Sequence, residues 1–120
     1  MRFYEFFRDR REQIEPVLKD FAELVGMDTG NLSKLERGLI DPPKWPNVLN
    51  RHAEALQLRP LTPEWYLFFD LAYAENGRIP SDCLSEEIFD WLPTLFCLFR
   101  GHKVEDEKYK EFVKFLGRNQ

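Results

Sequence analysis

FAELVGMDTGNLSKLERG, residues 21–38, is the stretch from which the fold can be read. Leu18, Phe21, Ala22 and Val25 recur at i, i+3, i+4 and i+7, which draws one apolar stripe along a helix. Ala22 is small where a crossing helix must come close. Gly26 follows the stripe and tolerates positive φ, so it suits the C′ position. Asp28 then offers a side-chain oxygen to the open N–H groups of a second helix. Met27 and Leu32 stand at N′ and N4 of that helix, the spacing of a hydrophobic staple. Leu32 and Leu35 point inward. At about 100° per residue, Gly30, Ser33, Lys34 and Arg37 share the opposite face, with Thr29 at its leading edge. Gly38 ends the helix.

Two short helices joined in this way have the layout of a helix-turn-helix, whose second helix enters the DNA major groove. Amphipathic helix pairs with an intervening glycine also occur in α-helical proteins that never touch DNA. Periodicity alone leaves both uses open.

The residues carry a further pattern. Phe21-Ala22 with Gly26-Met27-Asp28 matches L/F-A-x-x-x-G-V-S/T, and Leu32-Ser33-Lys34-Leu35-Glu36-Arg37-Gly38 matches I/L-S-K-I/L-E-x-G. Phe3, Phe7, Arg8 and Arg11 fit a preceding helix, and Pro42-Pro43 with Ala53-Glu54-Ala55-Leu56-x-Leu58 fits a loop and closing helices. Over residues 3–58 the chain therefore resembles the XRE family of DNA-binding domains, which contains phage repressors and Cro proteins. The resemblance implies double-stranded DNA as partner and a homodimer as the working form. It implies base contacts from Thr29, Gly30 and Lys34, with Asn31 and Ser33 nearby. It implies phosphate contacts from Leu18, Lys19, Arg37 and Lys44. It also implies a structural ion pair between Arg11 and Glu36. The chain departs from the family at several places: Leu18 replaces a Gln, Gly30 supplies no side chain, and Arg10, Pro16 and His52 stand where Leu is usual. Arg10 and Pro16 imply a remodelled first inter-helix loop.

Charge is distributed in keeping with this reading. Residues 1–60 hold ten Lys/Arg and ten Asp/Glu, so that half is neutral. Residues 61–120 hold seven basic and eleven acidic residues and supply the whole net charge of −4. Lys19, Lys34, Arg37 and Lys44 can still form a local basic face, whose affinity for DNA would rest on a few phosphates and fall steeply with salt. The N-terminus MRFYEFFRDRREQ turns to charge within seven residues, unlike a signal peptide, and no apolar run reaches the roughly 18 residues of a membrane span. A cytoplasmic protein is expected. Cys83 and Cys97 lack metal spacing and are expected as reduced thiols.

The rest of the chain reads as helices. They run over Phe3 to Ile14, Val17 to Val25, Thr29 to Arg37 and Trp45 to Leu56. Thr62-Pro63-Glu64 opens a fifth that Asn76-Gly77 closes. Ser85 caps a sixth, with Leu84 and Phe89 spaced as a staple. Pro93 kinks it or starts a new helix. Val104 to Leu116 forms the last. Trp65 to Ala74 has one polar residue in ten, so this helix needs cover from the last two helices or from a second subunit.

Catalytic motifs are missing: there is no HExxH, GxxxxGK[ST], GxSxG or Gly-rich nucleotide loop. His52 reads as a packed core residue and His102 as a solvated loop residue. Asp70 reads as facing solvent or pairing with an Arg. Glu105-Asp106-Glu107 reads as an acidic first helical turn, favoured by the helix dipole, rather than a metal site. The expectation is an all-α chain: a five-helix repressor-like helix-turn-helix domain over residues 1–60, and a helical extension over 61–120 that completes the core, a dimer interface, or both. No enzyme activity, cofactor or metal is expected. The alternative use of the same scaffold is a protein-interaction module, antitoxin-like or phage-accessory, with weak DNA affinity.

Overall fold

The computed structural model describes residues 1–118. Among them it contains seven α-helices, one 3-10 turn at Ser81–Cys83, and no strand. No helix of the described residues is long and apolar enough to cross a membrane. The chain forms two compact units, Met1–Pro80 and the residues from Ser81 on. The division falls later than the boundary after residue 60 read from the sequence, because the fifth helix packs into the first unit.

That unit contains α1 (Phe3–Ile14), α2 (Leu18–Val25), α3 (Thr29–Glu36), α4 (Pro46–Ala55) and α5 (Pro63–Glu75). Its core is aromatic at the centre. Phe3 lies 5.8 Å from Phe7 and 5.3 Å from Phe68, and Phe7 meets Phe21 edge-on at 5.8 Å. Such ring pairs add about 0.5–1.5 kcal/mol each beyond burial. Leu32 and Leu35 of α3, Leu49 and Ala53 of α4, and the following Leu56 and Leu58 close the remaining sides. Helix α1 packs on α3 and α5, α2 on α3 and α4, and α4 on α5.

The apolar helix α5 is therefore covered by α1 and α4 on its buried side. Phe68 and Ala72 are fully buried, and Trp65, Phe69, Leu71 and Tyr73 lie half-buried against the same core. Tyr66 and Leu67 remain exposed. The end of α5 is tied down by polar contacts. Glu75 Oε1 accepts from the Phe3 amide at 3.0 Å and pairs with Arg2 Nε at 2.7 Å. It thus serves one of the open N–H groups at the start of α1.

Arg10 does work that the sequence pattern does not show. Its guanidinium donates to the Leu56 carbonyl at 3.0 Å and to the Gln57 carbonyl at 3.1 Å. It serves carbonyls at the end of α4, where Gln57 holds a left-handed φ of 55°. Pro16 has a related use, since its carbonyl accepts from Arg11 Nη1 at 2.9 Å.

The second unit contains α6 (Glu86–Phe99) and α7 (Asp106–Arg118). Ser85 caps α6 by accepting from the Ile88 amide at 3.2 Å. Phe89 stays 56 % exposed, so the staple spacing with Leu84 does not bury it. Pro93 lies inside α6 without ending it; its missing N–H forfeits one i→i−4 bond. Trp91 of α6 packs on Phe112 and Phe115 of α7 at 5.5 and 6.0 Å. Arg118 pairs with Glu87 at 3.0 Å across the exposed side of this hairpin. No disulfide joins Cys83 and Cys97.

His52 sits in the first core, 5.6 Å from the Phe7 ring, and neither ring nitrogen has a hydrogen-bond partner. Burial, followed by the nearby Arg51 charge, lowers its pKa from 6.5 to about 4. Unfolded chains therefore take up a proton at this site at a higher pH than the fold does. The fold loses nothing to this group above pH 6.5, weakens as pH falls toward 4, and weakens no further below that. The full loss is about 3 kcal/mol. His52→Leu is expected to remove this component of acid unfolding, measured as urea-unfolding midpoints from pH 7 to pH 4. An unchanged pH profile in the variant would contradict the assignment.

Candidate functional site

Helices α2 and α3 meet across a turn built by three residues. Gly26 takes φ 69° and ψ 32°, and its left-handed backbone ends α2. The Met27 amide then donates back to the Ala22 carbonyl at 2.9 Å, and Met27 packs on the core. Asp28 caps α3, its Oδ2 accepting from the Asn31 amide at 3.1 Å. Leu32 and Leu35 are buried at 0 % and 1 % exposure and seat α3 on the core.

The opposite side of α3 is open. Thr29, Gly30, Asn31 and Lys34 are exposed, and Ser33 is half-buried. Arg37 is exposed just past the helix, its Nε donating to the Ser33 carbonyl at 3.3 Å. Lys19 at the start of α2 and Lys44 in the loop before α4 are exposed as well. Leu18 is different: it is half-buried and packs against the core. A side chain held there presents hydrocarbon inward and leaves only its backbone for polar contacts.

Gly30 is tied to the cap. A Cβ added there would stand 3.0 Å from Asp28 Oδ2, the atom that accepts from Asn31. Alanine would gain about 1 kcal/mol of helix propensity, but it would press on a cap of about the same value. Gly38 is more constrained. It has φ +73°, and a Cβ would come within 2.8 Å of the Tyr4 ring. Tyr4 of α1 thus lies directly against the chain leaving α3, a contact with no signal in the sequence pattern.

Beneath the exposed face lies an ion pair. Arg11 donates from Nε to Glu36 Oε2 at 2.9 Å and from Nη2 to Glu36 Oε1 at 2.6 Å. Both side chains are more than nine-tenths buried. The hydrogen bond to Glu36 is the main reason the guanidinium pKa is raised above its ordinary value; burial opposes it. The remaining Arg11 donor, Nη1, reaches the Glu15 carbonyl at 3.3 Å and the Pro16 carbonyl at 2.9 Å. One side chain thus joins α1, the α1–α2 link and the last turn of α3.

Other candidate residues belong to other elements of the chain. His102 is exposed, and Asp106 with Glu107 forms the first turn of α7. Asp70 is exposed on α5 and engaged in an interaction. Among the described residues no group of three His, Cys, Asp or Glu is arranged to hold a metal ion. Comparison of the chain with models of known families, with curated proteins and with solved structures gives no match.

Arg11→Met is expected to cost about 3–5 kcal/mol by stranding the Glu36 carboxylate. Arg11→Met with Glu36→Leu should recover much of that loss. Chemical denaturation of the three variants measures the coupling, and additive losses would show that the two groups act independently.

Proposed function

We propose that the chain is a sequence-specific DNA-binding transcriptional regulator of the XRE, repressor-like type, with α2 and α3 as its helix-turn-helix. The observation that carries this reading is the exposed face of α3. Thr29, Gly30, Asn31 and Lys34 face outward on a helix that buried Leu32 and Leu35 hold in place. A helix so mounted can lie in the major groove and offer its N-terminal residues to base edges. Thr29 and Lys34 reach bases, with Asn31 and Ser33 beside them, while Gly30 lets the backbone approach. Lys19, Arg37 and Lys44 hold phosphates, and Leu18 adds only its backbone amide. Phosphate contacts set register and affinity, and base contacts set sequence.

A single short helix buries little DNA surface, so tight binding calls for two copies. The second unit offers apolar surface for that purpose. Phe96 and Phe99 of α6 are 42 % and 76 % exposed, and Tyr109, Val113 and Leu116 of α7 are each about half exposed. In a two-fold dimer the α3 helices would stand roughly 34 Å apart and enter successive major grooves of a near-palindromic site. Occupancy of that site, in the cytoplasm, would then block transcription.

One observation favours a second reading. Leu39, Ile40 and Trp45, in the chain that follows α3, are exposed at 62 %, 40 % and 67 %, and aromatic and aliphatic side chains of this kind also suit a protein partner. That module, antitoxin-like or phage-accessory, would use the scaffold with weak DNA affinity.

Titration of random-sequence duplex DNA at two salt concentrations separates the readings. The regulator loses affinity steeply with salt, because bound phosphates release counterions. Lys34→Glu with Arg37→Glu should lower affinity at least tenfold while the unfolding midpoint stays near that of the parent. An interaction module would bind duplex weakly or not at all and show no response to the double substitution.

A further inference from the structure

The loop between α3 and α4 carries Lys44, and its backbone is held from another element. Three of its carbonyls are held from the end of α5. Asn76 Nδ2 donates to the Pro42 carbonyl at 3.3 Å and to the Pro43 carbonyl at 3.2 Å. Arg78 Nη1 donates to the Lys44 carbonyl at 3.0 Å. Pro42 itself is buried. With three successive carbonyls turned toward α5, the Lys44 side chain stays on the exposed side.

The two donors belong to a turn that is itself well fixed. The Asn76 amide closes α5 on the Ala72 carbonyl at 3.1 Å. Gly77 takes φ +67°, and the Arg78 amide returns to the Tyr73 carbonyl at 2.9 Å. This is the hydrogen-bond pattern that finishes a helix at a left-handed residue. Glu75, one residue earlier, holds the Phe3 amide and Arg2. Residues 75–78 therefore clamp two distant segments at once.

We infer that Asn76 and Arg78 are positioning residues for the DNA-contacting loop: they hold the backbone at 42–44 so that Lys44 meets a phosphate. The inference rests on the DNA reading above and extends it to residues beyond the region that resembles the XRE family. A lysine on a fixed backbone keeps its phosphate contact without first ordering the loop. On a loose loop the ordering entropy of several residues outweighs what one exposed phosphate contact returns, and the contact is lost.

Asn76 provides the test because it is uncharged. Its loss cannot itself remove a cation from DNA, whereas that ambiguity attaches to Arg78. The measurement is the slope of log K against log salt for a duplex. Each phosphate contact contributes about 0.9 to the magnitude of that slope. Lys44→Gln should reduce it by about 0.9. Asn76→Ala should reduce it by the same amount, and the double variant by no more than either alone. Asn76→Ser, which keeps a polar group but falls short of the Pro42 and Pro43 carbonyls, should match Asn76→Ala and serves if the alanine variant unfolds. A merely structural role would lower the unfolding midpoint and leave the slope intact. If Lys44→Gln lowers the slope but neither Asn76 variant does, the positioning inference fails and the DNA reading survives. If Lys44→Gln leaves the slope unchanged, the inference fails as well. If the parent protein shows no salt-dependent duplex binding, the DNA reading fails and takes the inference with it.

Discussion

The pairing of Arg11 with Glu36 is the constraint on which the first unit depends. A buried charge is tolerated only when its partner and its spare hydrogen-bonding groups are satisfied. Here the guanidinium places two donors on Glu36 and gives the third to the chain between α1 and α2. Helix α3 is short, eight residues, and a helix of that length is marginal in isolation. The ion pair holds its last turn, Asp28 holds its first, and the two leucines hold its middle. Most of its outer face is then left exposed.

The same economy governs the periphery of the unit. Long side chains reach across to satisfy carbonyls that no helix can serve. Arg10 serves the end of α4, Arg11 the link between α1 and α2, Asn76 and Arg78 the loop before α4. Glu75 performs the converse task for an amide of α1. These contacts explain why α5 belongs to the unit despite lying beyond the stretch whose pattern marks it. The apolar side of α5 supplies core, and its polar end supplies fastening.

Much of this was legible in the sequence, for physical reasons that can be traced. The α2–α3 turn was readable because each of its parts is local: a stripe at helical spacing, a glycine at C′, an aspartate at the cap. Seven helices could be placed to within a residue or two because proline, glycine and capping residues punctuate them. What stayed hidden was non-local. The hydrogen bonds of Arg10 to Leu56 and of Asn76 to Pro42 span more than thirty positions, and no spacing rule covers such distances. Arg10 looked like an intrusion at a leucine position because the carbonyls that its guanidinium serves lie 46 and 47 positions away. Leu18 belongs to the apolar stripe that helical spacing draws, and its side chain does turn to the core. Pro93 was read as a kink or as the start of a new helix, and α6 runs through it without a new start. The open face of α3 was legible as residues at one helical spacing, and its exposure could only come from three dimensions.

Glu36 has one more effect. It lies one residue before Arg37 and two after Lys34, near enough to quench the positive field of both. Its carboxylate is instead spent on Arg11, on the inner side of the helix. The pair forms a neutral unit on the buried side of α3, so Glu36 adds little to the field at Lys34 and Arg37. A residue that conserves the fold thereby leaves the charges of Lys34 and Arg37 uncancelled from within the helix.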